Sequence, residues 1–125
     1  MAAYNFQKQF VPLIESGAKR STIRARRKNG YLPRQGDVLR LYNGMRTKAC
    51  RLLREVAVTE VVPITIHTNA YLGCADVILN GTRLTGGEVG ELACADGFKS
   101  IREFADFFEQ KYGTELQAYV IRWAA

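Results

Sequence analysis

Two Asn-Gly dipeptides, Asn43-Gly44 and Asn80-Gly81, each stand between short stretches in which polar and apolar residues alternate. Asn and Gly tolerate the left-handed backbone that a two-residue hairpin turn needs, and alternation is the period of a half-buried strand. The chain is thereby committed to antiparallel hairpins. Residues 38–42 are predicted to run into the first turn and residues 45–53 to return from it. Residues 76–79 and 82–84 flank the second. Strands are also predicted near residues 4–6, 22–24 and 117–123. Val56, Val58 and Val61 extend strand character to a stop before Pro63, and residues 64–66 are read as a further short strand.

Helices are few. Phe10, Leu13 and Ile14 lie at helical spacing, so residues 9–16 are predicted as a short helix, with Pro12 in its first turn and Gly17 as its left-handed stop. Thr85 and Glu88 form a possible capping box for a helix reaching Ala95. Ser100 and Glu103 form a better one, for a helix whose apolar face is Ile101, Phe104, Ala105 and Phe108 and which stops at Gly113. Many short strands without a βαβα rhythm imply an α+β class: a small, closed or nearly closed antiparallel β-barrel with two or three short flanking helices. Ile23, Val38, Leu39 or Leu41, Val56, Val58, Phe104, Phe108 and Ile121 are the expected core.

At 125 residues, 47% of them apolar, the chain is expected to be one domain spanning residues 1–125. No apolar run approaches the roughly 20 residues that cross a bilayer, and residues 1–5 lack a basic-then-apolar leader, so no membrane partner and a cytoplasmic location are expected. Cys50, Cys74 and Cys94 have no metal-knuckle spacing and are read as reduced, mostly buried residues. His67 has no cysteine or acid at ligand spacing and is read as a loop or core residue. No metal and no cofactor are expected.

The charge is unevenly placed. Residues 19–54 hold 12 Lys/Arg and one acid, Asp37, whereas residues 55–125 hold 5 Lys/Arg and 10 acids. A polyanion-binding face has this asymmetry, although a merely solvated face has it too. Arg24, Arg26, Arg27 and Lys28 make a basic loop, extended across the hairpin by Arg46, Lys48 and Arg51. Such groups contact phosphates and supply affinity without sequence preference. Tyr31 and Tyr42 are candidates for stacking a base or for packing at the barrel edge.

The densest motif follows the first helix stop: Gly17-Ala18-Lys19-Arg20-Ser21-Thr22-Ile23-Arg24. Thr22 and Arg24 share one strand face because side chains alternate with period two, and Lys19 sits in the turn before them. A threonine hydroxyl becomes a nucleophile when a base takes its proton, and a desolvated lysine among other cations can act as that base.

The run Gly17-x-Lys19-x-x-Thr22-Ile23-Arg24, then Gly36-Asp37-Val38-Leu39, resembles the ASCH domain family of the PUA-like fold. Tyr42-Asn43-Gly44-Met45-Arg46-Thr47-Lys48, Ala95-Asp96-Gly97-Phe98 and Val120-Ile121-Arg122-Trp123 extend the resemblance from Phe6 to Trp123. The resemblance implies a central barrel with helices beside it and a cleft lined by the Lys-x-x-Thr-Ile-Arg segment. Most members are proposed to bind or process RNA. One branch hydrolyses the acetyl group of N4-acetylcytidine with a threonine, a lysine and a glutamate at positions corresponding to Thr22, Lys19 and Asp96. This chain departs from that branch in having an aspartate at the third position, one methylene shorter, and an insertion around residues 65–88. The leading expectation is an RNA- or nucleotide-binding domain with Arg24, Arg26, Arg27, Lys28, Tyr42, Arg46 and Lys48 as ligand contacts. The runner-up is an amidohydrolase acting on an acylated cytidine or related nucleoside through Lys19, Thr22 and Asp96. A protein-interaction module using the basic face is the third reading.

Overall fold

The computed structural model describes residues 2–124. Strand β1 (Ala2–Asn5) leads through a single 3-10 turn (Lys8–Phe10) into α1 (Val11–Ser16). Pro12 occupies the first turn of α1, and Gly17 ends it at φ 82°. β2 (Ser21–Arg24), β3 (Val38–Asn43), β4 (Arg51–Asn69), β5 (Cys74–Leu79) and β6 (Thr82–Arg83) follow. The chain then forms α2 (Gly86–Ala95) and α3 (Ile101–Tyr112) and closes on β7 (Glu115–Trp123). The α+β class of the sequence analysis is the class observed.

β4 organises the sheet. Its first part pairs antiparallel with β3, and its later part pairs antiparallel with β7 and with β5. β2 extends the sheet beyond β7, and β6 extends it beyond β5. β1 lies parallel to β3, so the sheet is mixed rather than wholly antiparallel. β4 runs 19 residues without a break, straight through the expected stop at Pro63. The Pro63 carbonyl accepts from Asn80 N–H at 2.9 Å, on the side where β5 has just turned away. The missing proline N–H faces that same side and costs β4 no bond to β7. The expected separate strand at residues 64–66 is part of β4.

The second hairpin turns as expected, with Asn80 and Gly81 at φ 50° and 83°, the signs of a type I′ turn. The first does not. Asn43 still pairs with Arg51, so residues 44–50 make the connection. The Asn43 side chain is already committed, donating to Phe6 O at 2.8 Å, and two successive turns follow, with Thr47 N–H to Gly44 O and Cys50 N–H to Thr47 O. This wide loop carries Met45 and Arg46 towards β1.

The expected barrel does not close. β1 is bonded to β3 and β2 to β7, and among the described residues no ladder joins β1 to β2. Guanidinium groups stand in its place: Arg24 donates to Asn5 O at 2.6 Å and Arg27 to Ala3 O. Long side chains inserted between two edges hold them apart while still satisfying the β1 carbonyls.

The helices cover one end of the sheet. Phe104, Ala105 and Phe108 of α3 are buried; the Phe98 ring meets those of Phe104 and Phe108 edge-on or tilted at 5.5 and 5.8 Å and that of Phe10 edge-on at 5.4 Å. Glu109 ties α3 to the end of β4, accepting from Thr68 Oγ1 at 3.0 Å and Ala70 N–H at 3.1 Å. One core holds Ile23, Leu39, Leu41, Val56, Val58, Phe104, Phe108 and Ile121. Val38 is the exception: it is half-buried at the start of β3, where the core-facing positions are Leu39 and Leu41. The three cysteines are free and exposed rather than buried: Cys50 ends the wide loop, Cys74 begins β5 and Cys94 lies on the outer face of α2. His67 lies on the exposed face of β4, paired in register with Asp76 and Glu115, and not in a loop or the core.

Removing the Phe104 ring should leave a cavity that its aromatic neighbours cannot fill. Phe104→Ala is expected to lower unfolding free energy by about 3–5 kcal/mol in urea denaturation, with an unchanged denaturant slope.

Candidate functional site

The site begins with the end of α2. Thr85 caps its start with both halves of a capping box, whereas Ser100 of α3 shows only the forward half, from Glu103 N–H. The order expected from the two motifs is thus reversed. At the other end of α2, Phe98 N–H bonds Ala93 O at 2.9 Å and Gly97 N–H bonds Cys94 O at 3.0 Å. These are the two bonds of a Schellman motif, with Gly97 left-handed at φ 99°. Glycine is required twice over here. A Cβ at this position would fall 3.0 Å from Phe10 and 3.1 Å from Leu13. The motif fixes Asp96 as the C-cap residue of α2 and turns it inward, to 3% exposure.

Lys19 meets it from the turn between α1 and β2. Its Nζ lies 2.8 Å from Asp96 Oδ1, donates to the Asp96 carbonyl oxygen as well, and is itself 2% exposed. Ser21 Oγ lies 3.5 Å from the same carboxylate oxygen. The Lys19 ammonium also lies 4.9 Å from the Phe10 ring centre and 5.8 Å from that of Phe6. Burial pushes the Lys19 pKa down and the Asp96 pKa up, and their mutual attraction opposes both shifts without cancelling them. Each group is thereby brought closer to its neutral form.

Thr22 and Arg24 follow on β2. Arg24 Nε donates to Thr22 Oγ1 at 3.0 Å, and the guanidinium covers Phe6 at 4.8 Å and Tyr4 at 5.1 Å. Lys19, Thr22, Arg24 and Asp96 all line one small cavity of about 40 Å³, closed on its far side by Phe107, Phe108 and Lys111. This gives room for about three waters and not for a nucleobase. The structure therefore brings these four residues together although the chain separates Lys19 from Asp96 by 77 positions.

Arg24 is also a wall of a second, open groove of about 430 Å³. Ala3, Tyr4 and Asn5 form its floor along the unpaired side of β1, and Arg27, Met45, Arg46 and Tyr112 rise around it. Arg27 lies over Tyr4 at 4.7 Å. Arg46 is exposed and holds a left-handed φ of 66°, which for a residue other than glycine costs about 1 kcal/mol. The remaining residues of the expected ligand set lie elsewhere. Arg26 turns to β7, donating to the Tyr119 hydroxyl at 3.1 Å, and Lys28 and Lys48 are on exposed loops. Tyr42 is half-buried on β3 and lines neither cavity, and Tyr31 is half-buried 5.7 Å from the Arg27 guanidinium.

Several residues of the site carry no sequence signal of their own. Tyr4 and Asn5 read only as strand, and Lys111 and Tyr112 only as the end of an amphipathic helix. Lys111 caps the small cavity from α3, and its pKa is pushed down by partial burial and by Arg24. Burial raises the Tyr112 hydroxyl, with Arg24 opposing the shift. Among the described residues, no group of three or more His, Cys, Asp or Glu is placed to hold a metal ion.

The half-open mixed sheet, the helices covering one end and the cleft under β2 define a PUA-like α+β fold. The specific variant follows from comparison with solved structures. Two mutant forms of ZmASCH from Zymomonas mobilis, one Ser-to-Ala and one Tyr-to-Phe, superpose on this chain with TM-scores of 0.57. They share 16% and 15% sequence identity with it, cover 98% of it, and are themselves covered over 66% and 68% of their length. The protein thus has the ASCH fold, and it spans about two thirds of those neighbours. No protein-family model and no curated protein matches the sequence.

Two outcomes are expected of variants at this site. Lys19→Met leaves a buried carboxylate without its cation and should cost about 3–5 kcal/mol, whereas adding Asp96→Leu should restore most of that loss. Lys19 is thus a structural residue whatever its chemistry. Gly97→Ala should cost about 2 kcal/mol through its left-handed backbone and its contact with Phe10. Urea denaturation of the four proteins measures all of these.

Proposed function

We propose that the chain binds single-stranded RNA or a nucleotide in the groove beside β1. The observation that carries this reading is the three guanidinium groups, Arg24, Arg27 and Arg46, ranged around a groove of about 430 Å³ with no carboxylate paired to any of them among the described residues. The volume lies in the range of about 300–1,000 Å³ typical of small-ligand sites. Guanidinium forks match phosphate oxygens in geometry as well as charge. Tyr112 offers aromatic surface to an unstacked base, and Met45 offers a polarisable side chain that adapts to it.

A second reading is favoured by one contact, the Arg24 Nε bond to Thr22 Oγ1 beside a buried lysine. In it Thr22 Oγ attacks the carbonyl of an N4-acylated cytidine and gives its proton to Lys19. Lys19 passes that proton to the leaving amine, and water then releases the acyl group from Thr22. The small cavity admits the acyl group and leaves the base in the groove. Binding takes precedence because the groove accommodates a nucleotide as it stands.

Fluorescence anisotropy with a labelled single-stranded RNA tests the first reading. Arg27→Ala combined with Arg46→Ala should weaken binding by at least tenfold and reduce the slope of log affinity against log salt by about 1.4. Arg83→Ala with Arg102→Ala, which removes the same charge elsewhere, should leave both within twofold of the parent slope and affinity. Equal effects of the two pairs would reduce the basic groove to a general surface field. Release of cytidine from N4-acetylcytidine, lost in Thr22→Ala, would establish the second reading. Absence of product with the folded parent protein would end it.

A further inference from the structure

The small cavity holds an excess of positive charge that its own carboxylate does not neutralise. One oxygen of Asp96 is engaged: Lys19 and Ser21 converge on its Oδ1, and Lys19 takes its backbone carbonyl oxygen as well. Arg24 and Lys111 face the same space, and neither has a carboxylate partner among the described residues. Arg24 spends one N–H on Thr22 and one on Asn5 O, which leaves three of the five donors a guanidinium carries. Thr22 accepts from Arg24, so its own O–H is free to donate. Lys111 rests 5.8 Å from the Phe107 ring centre and 5.5 Å from that of Tyr112, and it lines the cavity. Convergent donors and unmatched positive charge in a half-desolvated space form a seat for a small anion.

Size and connection decide which anion. The cavity of about 40 Å³ is large enough for a group of three or four oxygens and too small for a base or a sugar. It opens beside Asn5 and Arg24, which also wall the larger groove. A strand lying in the groove has nucleosides on both sides of every internal phosphate, and neither side fits the cavity. A terminal phosphate carries only one.

We propose that Thr22, Arg24 and Lys111 form a seat for the terminal phosphate of a nucleic-acid strand or nucleotide, so that the protein reads a strand end. This rests on the RNA-binding reading above. Lys111 is the specificity-determining residue, because it is the one cation of the seat that takes no part in holding β1, β2 or α2 in place. With a phosphate seated, the Thr22 hydroxyl donates to a phosphate oxygen and no covalent step is involved.

The test measures affinity for one eight-nucleotide single-stranded RNA in three forms: 5′-phosphorylated, 3′-phosphorylated, and with hydroxyls at both ends. A nine-nucleotide hydroxyl-ended RNA controls for the added charge. The label is internal in all. One phosphorylated form should bind about tenfold more tightly than the hydroxyl-ended and nine-nucleotide RNAs, as expected for new charge-assisted hydrogen bonds. Lys111→Ala should erase that preference, so that phosphorylated and hydroxyl-ended RNA bind the variant equally, and Lys111→Arg should restore most of it. Tight binding of all four RNAs without preference for an end would overturn the terminal-phosphate seat and leave the RNA reading standing. A preference that survives Lys111→Ala would overturn the assignment of the seat to this cavity. Failure of every RNA to bind would overturn both readings.

Discussion

Everything about the site depends on burying Lys19 against Asp96. Two ions taken out of water lose several kcal/mol of hydration each, and only close, well-directed contacts return it. Lys19 receives two contacts from a single residue, the Asp96 carboxylate and its backbone carbonyl, because the Schellman turn at Gly97 presents both towards β2. The same contact docks the end of α2 onto the turn that follows α1. It holds two segments 77 residues apart and thereby sets where β2 begins. Thr22 and Arg24 inherit their positions from it. Phe10 and Phe98, on either side, exclude the water that would otherwise weaken the pair.

The open seam between β1 and β2 is the second constraint, and it follows from the first. With β2 anchored through Lys19 at one end and through β7 along its length, its other edge faces β1 across a gap. Arg24 and Arg27 reach across this gap to the carbonyls of Asn5 and Ala3. A ladder would bury these backbone edges in mutual bonds and leave no cleft. Bridging them with guanidinium groups satisfies the carbonyls and keeps positive charge at the surface of the seam. The groove is therefore a consequence of how the sheet fails to close.

How far this was legible in the sequence depends on the range of the interaction responsible. Local chemistry reads directly: Asn80-Gly81 makes the tight turn, Gly17 stops α1, and Thr85 with Glu88 forms a complete capping box. Asn43-Gly44 carries the same hairpin signal but gives a seven-residue loop, because the Asn43 amide is drawn to the Phe6 carbonyl from another strand. Pro63 reads as a strand end and is tolerated inside β4 because its missing donor faces away from β7, towards the turn that follows β5. His67 and the cysteines show the limit of residue type as a guide to burial, since an outward strand or helix position places even an apolar thiol in water. For the site, Lys19, Thr22 and Arg24 are legible as a motif on one short segment. Their meeting with Asp96 entered through the family resemblance, and Lys111 and Tyr112 were hidden in the pattern of an ordinary amphipathic helix.

The charge count of the chain needs the same correction by geometry. The basic third reads as a single polycationic face, yet its members are spent differently. Arg40 and Arg51 pair with Glu55 and Glu15, Arg20 is turned to Gly17 O, Arg26 packs on Tyr119, and Lys19 is buried with Asp96. What remains positive around the cleft is Arg24 on β2, Arg27 in the loop after it and Arg46 in the loop between β3 and β4, joined by Lys111 from a part of the sequence whose net charge is negative. Coulomb attraction to a bound anion falls with distance and is screened by salt beyond about 8 Å, so four converging cations outweigh a larger number spread over the surface. On the reading proposed above, recognition of an anion would be governed by the few cations that the open seam leaves facing one another, and only weakly by the overall charge.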